Sequence, residues 1–173
     1  MNNSYPRVII LSILFIALQV WVFNPVSLFR VATPLVYPLI LSFFPMDKKP
    51  GELMIFGFVI GMIIDYLAFT PGLNTSAFTL TAFIRPYLVK TIANAQDKIE
   101  QVPLPSVIEG GAFALLLEVF CVHHLLMYLL SFTITVSIID TLIHFGAGLA
   151  LSFLIAAIML YTLNIRIYPN KHG

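Results

Sequence analysis

Residues 53–69 read LMIFGFVIGMIIDYLAF, an apolar run in which Asp65 is the one charged side chain. Such a run is typical of a membrane helix, because about 20 helical residues cross the roughly 30 Å hydrocarbon core of a bilayer. Five more apolar runs accompany it. The sequence therefore predicts an all-α integral membrane protein, a single transmembrane domain over residues 1–173. Its six helices are expected at about 8–23, 31–44, 53–69, 75–89, 107–130 and 136–163.

The composition of the whole chain points the same way. Of its 173 residues, 60% are hydrophobic and 10% are charged, whereas a soluble domain carries about 25% charged residues. The mean hydropathy is +0.97. The net charge of +1 gives no indication of a nucleic-acid partner, and we expect the partners to be membrane lipid and protein.

Three local features refine this prediction. The single cysteine, Cys121, excludes a disulfide within the chain and any two-cysteine metal or redox motif. The first apolar run is followed by Asn24-Pro25 rather than by a small-residue cleavage site, so we expect a retained helix rather than a signal peptide. The second run contains Pro34 and Pro38 and is followed by Pro45. We expect it to be kinked or partly re-entrant, with protein neighbours satisfying its freed carbonyl groups.

The basic residues predict the orientation. With the N-terminus in the cytoplasm, Arg30 alone falls outside, and the other lysines and arginines fall at or near cytoplasmic ends. These are Arg7, Lys48, Lys49, Arg85, Lys90, Lys98, Arg166 and Lys171. The opposite orientation inverts this bias. Both termini are therefore predicted to be cytoplasmic.

Ionisable side chains inside the apolar runs are candidates for function, because charge is expensive in a bilayer. Asp65 lies 12 residues past Leu53 and Glu118 lies 11 past Val107, so each is expected roughly 17–18 Å from the cytoplasmic side. Asp140 and His144 are expected near the outer end of the last helix, on one face. For Asp65 and Glu118 two interpretations stay open: hydrogen bonding between helices, or contact with a ligand or partner.

Small residues form stripes beside these acids. Gly57, Gly61 and Asp65 recur at intervals of four, which predicts a close contact with a neighbouring helix. A second stripe follows Asp140 and His144 through Gly148, Ser152 and Ala156.

The histidines are the remaining ionisable groups in the apolar runs. His123 and His124 are expected to be interfacial, or neutral and packed. Glu118, His123, Asp140 and His144 are suitable metal ligands by type. Their spacing does not require a metal site, and we expect no metal, no cofactor and no catalytic residue.

Residues 57–74, GFVIGMIIDYLAFTPGLN, continue into the small-residue stretch AFTLTAFI at 77–84. This segment resembles the signature of MreD, the rod-shape-determining membrane protein family of bacteria. The family pattern is a glycine-bearing helix, an aspartate, a short turn with a glycine and a small-residue helix. The resemblance is close from Gly57 to about Val89 and also includes length, helix number, orientation and an acid in the fifth helix, here Glu118. The proline-rich second run and the His123-His124 pair depart from it.

The resemblance implies a non-enzymatic scaffold of the cell-elongation complex in the bacterial inner membrane, which directs lateral peptidoglycan synthesis. The implied partners are MreC, the MreB filament, RodA and a class B penicillin-binding transpeptidase. The family is also similar in fold to the six-helix substrate-binding subunits of energy-coupling-factor transporters. The alternative is therefore a small-molecule carrier subunit with a pocket among Asp65, Glu118 and the histidines.

Overall fold

The computed structural model describes residues 5–26, 33–92, 101–105, 107–108, 110–131 and 138–167. For residues 5 and 164–167 it describes the backbone alone. These residues form helices and connecting segments, and no strand occurs among them. The α-helices are α1 (Tyr5–Ala17), α2 (Pro50–Ala68), α3 (Leu73–Ile92), α4 (Gly111–Ser131) and α5 (Ile138–Ile167). Helix α1 continues as a π-helical segment, Leu18–Phe23, and a 3-10 helix covers Tyr37–Phe43.

Four of these helices are long and apolar enough to cross a membrane: Pro6–Phe23, Pro50–Ala68, Gly111–Ser131 and Ile138–Leu163. The all-helical class and the membrane character predicted from the sequence are therefore confirmed. Helix α3 has 20 residues, which is the length needed, but it is less apolar than the other four because polar side chains such as Asn74, Thr81 and Arg85 face the protein interior.

The second predicted helix, 31–44, is replaced by a different structure over the residues described there. The 3-10 helix Tyr37–Phe43 rises about 14 Å at roughly 2 Å per residue, about half of a hydrocarbon core. Proline accounts for the difference. Pro34, Pro38 and Pro45 have no N–H to donate, and each proline disfavours the α conformation of the residue before it.

This central segment, residues 33–46, lies inside the bundle and runs antiparallel to α1. At one end, Pro34 contacts Gln19 in the last turns of the first helix. At the other end, Phe44 and Lys48 line a cavity together with Val8, near the start of α1. Its backbone is shielded from lipid because Val36, Tyr37, Leu39, Ile40, Leu41 and Phe43 have no exposed surface.

The helices define two ends of the bundle. The lower end contains the starts of α1, α2 and α4 and the end of α3; the upper end contains the opposite termini. Helix α3 packs between α2 and α4, and α5 packs on α4. The central segment contacts α1, α3 and α4. Large apolar side chains face outward along α1, α2, α4 and α5, as expected where the solvent is lipid.

Candidate functional site

Asp65 lies at the upper end of α2 and caps the first turn of α3. Its Oδ1 accepts hydrogen bonds from the Asn74 backbone N–H at 3.0 Å, the Asn74 side-chain amide at 2.9 Å and the Thr70 hydroxyl at 2.8 Å. Its Oδ2 accepts from the Thr75 backbone N–H at 2.8 Å and the Thr75 hydroxyl at 2.6 Å. The carboxylate thus satisfies N–H groups that have no partner within α3, and it faces the positive end of that helix dipole.

Helix α2 begins at Pro50 and ends at Ala68, so Asp65 lies 15 residues, or about 22 Å, past the helix start and one turn before the upper end. The sequence prediction counted from Leu53 and gave about 18 Å. The chain turns directly after Asp65: Phe69 adopts a left-handed conformation with φ 55°, and its N–H bonds back to the Asp65 carbonyl. Asp65 therefore forms part of a helical hairpin.

The two glycines of α2 lie directly against α3. A Cβ atom at Gly61 would be 2.5 Å from the Thr75 Cα, and one at Gly57 would be 2.8 Å from the Ala82 Cβ. Contacts this short leave no room for a side chain. The glycine stripe therefore sets the distance at which α2 and α3 pack, and that distance lets the Asp65 carboxylate reach the α3 backbone.

A buried polar chain extends from this cap to the central segment and α4. The Tyr37 hydroxyl lies 2.8 Å from Asn74 Oδ1 and 2.6 Å from His123 Nε2, and His123 Nδ1 lies 3.2 Å from the Thr81 hydroxyl. Asn74 directs its amide nitrogen at Asp65, so its oxygen accepts the Tyr37 proton. Tyr37 must then accept from His123, which assigns the imidazole proton to Nε2. The chain thus joins α2, α3, α4 and the central segment.

Two further helices hold the upper part of the central segment. Gln19, fully buried in the π-helical segment, donates to the Pro34 carbonyl at 3.1 Å and accepts from the Val36 N–H at 2.7 Å. On α5, the Ser152 hydroxyl accepts from the Leu35 N–H at 2.8 Å. Ser152 Oγ lies 3.2 Å from His124 Nε2 and so donates to it, because His124 Nδ1 donates to the Phe120 carbonyl. These bonds replace those that an α-helix would have made.

Arg85 binds the lower part of the central segment. The sequence places Arg85 at or near a cytoplasmic helix end, and the structure shows that its side chain is fully buried there. Nη1 donates to the Pro45 carbonyl at 2.9 Å and Nη2 to the Phe44 carbonyl at 2.6 Å. Arg85 Nε and Ser42 Oγ are buried without a hydrogen-bond partner among the described residues.

Glu118 lies far from Asp65. Helix α4 begins at Gly111 and not at Val107, so Glu118 lies about 10 Å past the helix start rather than the predicted distance of about 17 Å. It contacts the Thr91 hydroxyl, which is 3.0 Å from both of its carboxylate oxygens, at the lower end of α3. Asp65 binds Thr75 at the upper end. The 16 residues from Thr75 to Thr91 separate the two acids by about 24 Å along α3. They do not share a pocket.

Asp140 and His144 lie on one face in the first turns of α5, as predicted, and the His144 Nδ1–H donates to the Asp140 carbonyl at 2.6 Å. Asp140 is exposed. Lower on α5, Gly148, Ser152 and Ala156 are buried. Of the predicted site residues, the structure brings together Gly57, Gly61 and Asp65, and it places Glu118 and the Asp140–His144 pair at two other locations.

Sequence reasoning missed the residues that bind the central segment. Gln19, Tyr37, Asn74 and Arg85 were not among the candidates. A signal was present for Gln19 and Arg85, which are strongly polar residues within helices that are otherwise largely apolar. No comparable signal marks Tyr37, because a tyrosine in an apolar run is ordinary interfacial material.

The fold and these contacts define an all-helical membrane protein whose buried polar groups bind one another and the central backbone. Among the described residues, no group of three or more His, Cys, Asp or Glu side chains is arranged to hold a metal ion. Comparisons with protein-family models, with curated proteins and with solved structures found no match to this chain.

Proposed function

We propose that this chain is a non-enzymatic membrane scaffold of the bacterial cell-elongation complex, with its termini in the cytoplasm. In this role it binds MreC and the associated MreB filament, RodA and class B transpeptidase, and so supports cell shape and lateral peptidoglycan synthesis. The proposal extends the resemblance of residues 57–89 to MreD.

The α2–α3 hairpin is the observation that carries the proposal. The residues that resemble the MreD signature form one interlocked unit, in which Gly57 and Gly61 set the helix spacing and Asp65 caps the next helix. The hydrogen bonds of the Asp65 carboxylate stay within this unit, on Thr70, Asn74 and Thr75. A scaffold requires a part that keeps its shape. In this hairpin the polar groups stabilise the contact between its own two helices.

The proposal includes six membrane crossings. Helices α1, α2, α3, α4 and α5 supply five, and the central segment supplies the sixth as a buried crossing between the upper end of α1 and the lower end of α2. The 3-10 helix covers about 14 Å of this crossing, and the flanking residues 33–36 and 44–46 carry the remainder. Six crossings place both termini on one side.

The alternative, a carrier subunit of an energy-coupling-factor type, is less well supported. It requires a pocket among Asp65, Glu118 and the histidines. The two acids lie about 24 Å apart along α3, and His123 and His124 bond to Tyr37 and Ser152 inside the bundle.

The test is genetic and biochemical. Expressed in a rod-shaped bacterium depleted of its own MreD, the chain is expected to restore rod shape, and MreC and the transpeptidase should co-elute with it in mild detergent. Cells that stay round although the protein accumulates would refute the proposal. Co-elution of a pair of ATPase subunits would favour the carrier instead.

A further inference from the structure

Glu118 is an acid on the outer surface of a membrane-spanning helix. It lies seven residues past Gly111, about 10 Å inside α4, and its side chain is half-buried. The exposed residues nearest to it on α4 are Ala114, Leu117 and Cys121, followed by Leu125 two turns on, and none of them is charged. The carboxylate therefore interrupts a surface that otherwise suits lipid.

The one hydrogen-bond donor facing Glu118 in the described structure is the Thr91 hydroxyl. That hydroxyl has one proton, and it also lies 2.6 Å from the Leu88 carbonyl, which is the shorter contact. A carboxylate has about four acceptor positions. Most of the hydrogen-bonding capacity of Glu118 is therefore directed away from the bundle.

No described cation lies within ion-pair distance of Glu118. The described ion pair, Lys48 with Glu52 at 3.6 Å, belongs to the start of α2. The ammonium group of Lys90, the neighbour of Thr91 in sequence, lies 5.6 Å over the Tyr87 ring instead.

We propose that Glu118 and Thr91 anchor an interaction surface for a transmembrane helix of another protein, and that this helix presents a lysine or arginine to Glu118. Charge complementarity identifies the occupant. An ionised acid facing lipid is expensive, and a basic group on an apolar helix neutralises it while the leucines around it pack. Lysine and arginine are also common near the cytoplasmic ends of single-span helices, the level at which the proposed topology places Glu118.

This inference deepens the proposed function by giving the chemistry of a partner. It rests on one part of that function, namely that the chain assembles with another membrane protein. A defined probe tests it without a cell-shape assay. The full chain is reconstituted in lipid vesicles with a synthetic single-span helix of leucine and alanine. The helix contains one lysine two turns from its end and one cysteine a turn further in. A mild oxidant then links this cysteine to Cys121, which is exposed and one turn from Glu118.

The lysine helix is expected to form about fivefold more disulfide with Cys121 than the same helix with glutamine in place of lysine. The substitution Glu118→Gln should lower the yield to that of the glutamine helix. The matched control Glu52→Gln changes an exposed acid elsewhere and should leave the yield unchanged.

Three outcomes would overturn the proposal. Equal yields for the lysine and glutamine helices show that charge does not select the occupant. An excess for the lysine helix that appears only after Lys98→Gln shows that a lysine of this chain already neutralises Glu118. A Cys121-linked homodimer that forms without the probe and prevents its capture assigns the surface to a second copy.

Discussion

Asp65 and Arg85 are the charged side chains that the described structure buries, and each lies against the end of a helix. Asp65 accepts from the first N–H groups of α3, and Arg85 donates to the carbonyls that follow the 3-10 helix. Negative charge is favourable at a helix start and positive charge at a helix end. Burial is therefore compensated by backbone dipoles, to which the charge of Asp47 adds at Arg85.

A pair of substitutions at Asp65 tests this role. Asp65→Asn keeps one acceptor but turns an amide donor towards the Thr75 N–H, so we expect a loss of about 1–2 kcal/mol in unfolding free energy. Asp65→Leu removes both acceptors and leaves the α3 N–H groups unsatisfied, which should cost roughly 3 kcal/mol or more. Denaturant unfolding in detergent measures both.

Glu52→Gln is the control for the Asp65 pair, because Glu52 is exposed and its pairing with Lys48 contributes little. An Asp65→Leu protein as stable as the parent would contradict the capping role. A stable Asp65→Asn protein that inserts but leaves cells round would instead show that the ionised carboxylate serves a partner.

Tyr37 offers a second test at the residue scale. Tyr37→Phe removes the hydroxyl that joins Asn74 to His123, so a buried acceptor and a buried N–H lose their partner. We expect a loss of about 2 kcal/mol in unfolding free energy. Tyr87→Phe, at an exposed tyrosine of α3, is the matched control and should be neutral. Equal stability of the two variants would mean that the polar chain contributes nothing.

At the scale of elements, the sequence allows the regular helices to be predicted but not the central segment. Long apolar runs determine α1, α2, α4 and α5, because lipid solvation requires them. The prolines near 34–45 indicate a broken helix but not its path, since that path depends on bonds from Gln19, Ser152 and Arg85, which are distant in sequence. The spacing of Gly57 and Gly61 predicts a close contact, and the structure has one there. The distance between Asp65 and Glu118 could not be predicted from the sequence, because it depends on the residues at which the helices begin and end.

The contact between α2 and α3 leads to a prediction with a close control. Gly61→Ala adds a Cβ that would lie 2.5 Å from backbone, so the helices must separate, and we expect a loss of about 2 kcal/mol. Gly146→Ala places the same methyl group in open space on α5. It should be neutral or stabilise by up to about 1 kcal/mol, because alanine is the better helix former. Thermal unfolding that ranks the two variants equally would refute the packing argument.

At the scale of the whole molecule, the central segment determines the topology. If residues 33–46 cross the membrane, Val26 and Asp47 face opposite sides, and the total of six crossings returns the C-terminus to the side of the N-terminus. If they do not cross, the count is five and the termini lie on opposite sides. Both residues are exposed, so each can be replaced by cysteine without disturbing the core.

Cysteine labelling in cells distinguishes these topologies. In a Cys121→Ser background, we expect Val26→Cys to react with a membrane-impermeant maleimide added outside, and Asp47→Cys to react only after the membrane is opened. Pro71→Cys, in the exposed turn after Asp65, is the outside control, since Asp65 and Gln19 both lie at the upper end. The basic residues beside Asp47 predict the same sidedness independently, through the preference of lysine for the cytoplasm. If Asp47→Cys reacts from outside like Val26→Cys, the buried crossing is wrong, and the proposed cytoplasmic location of the C-terminus is wrong with it.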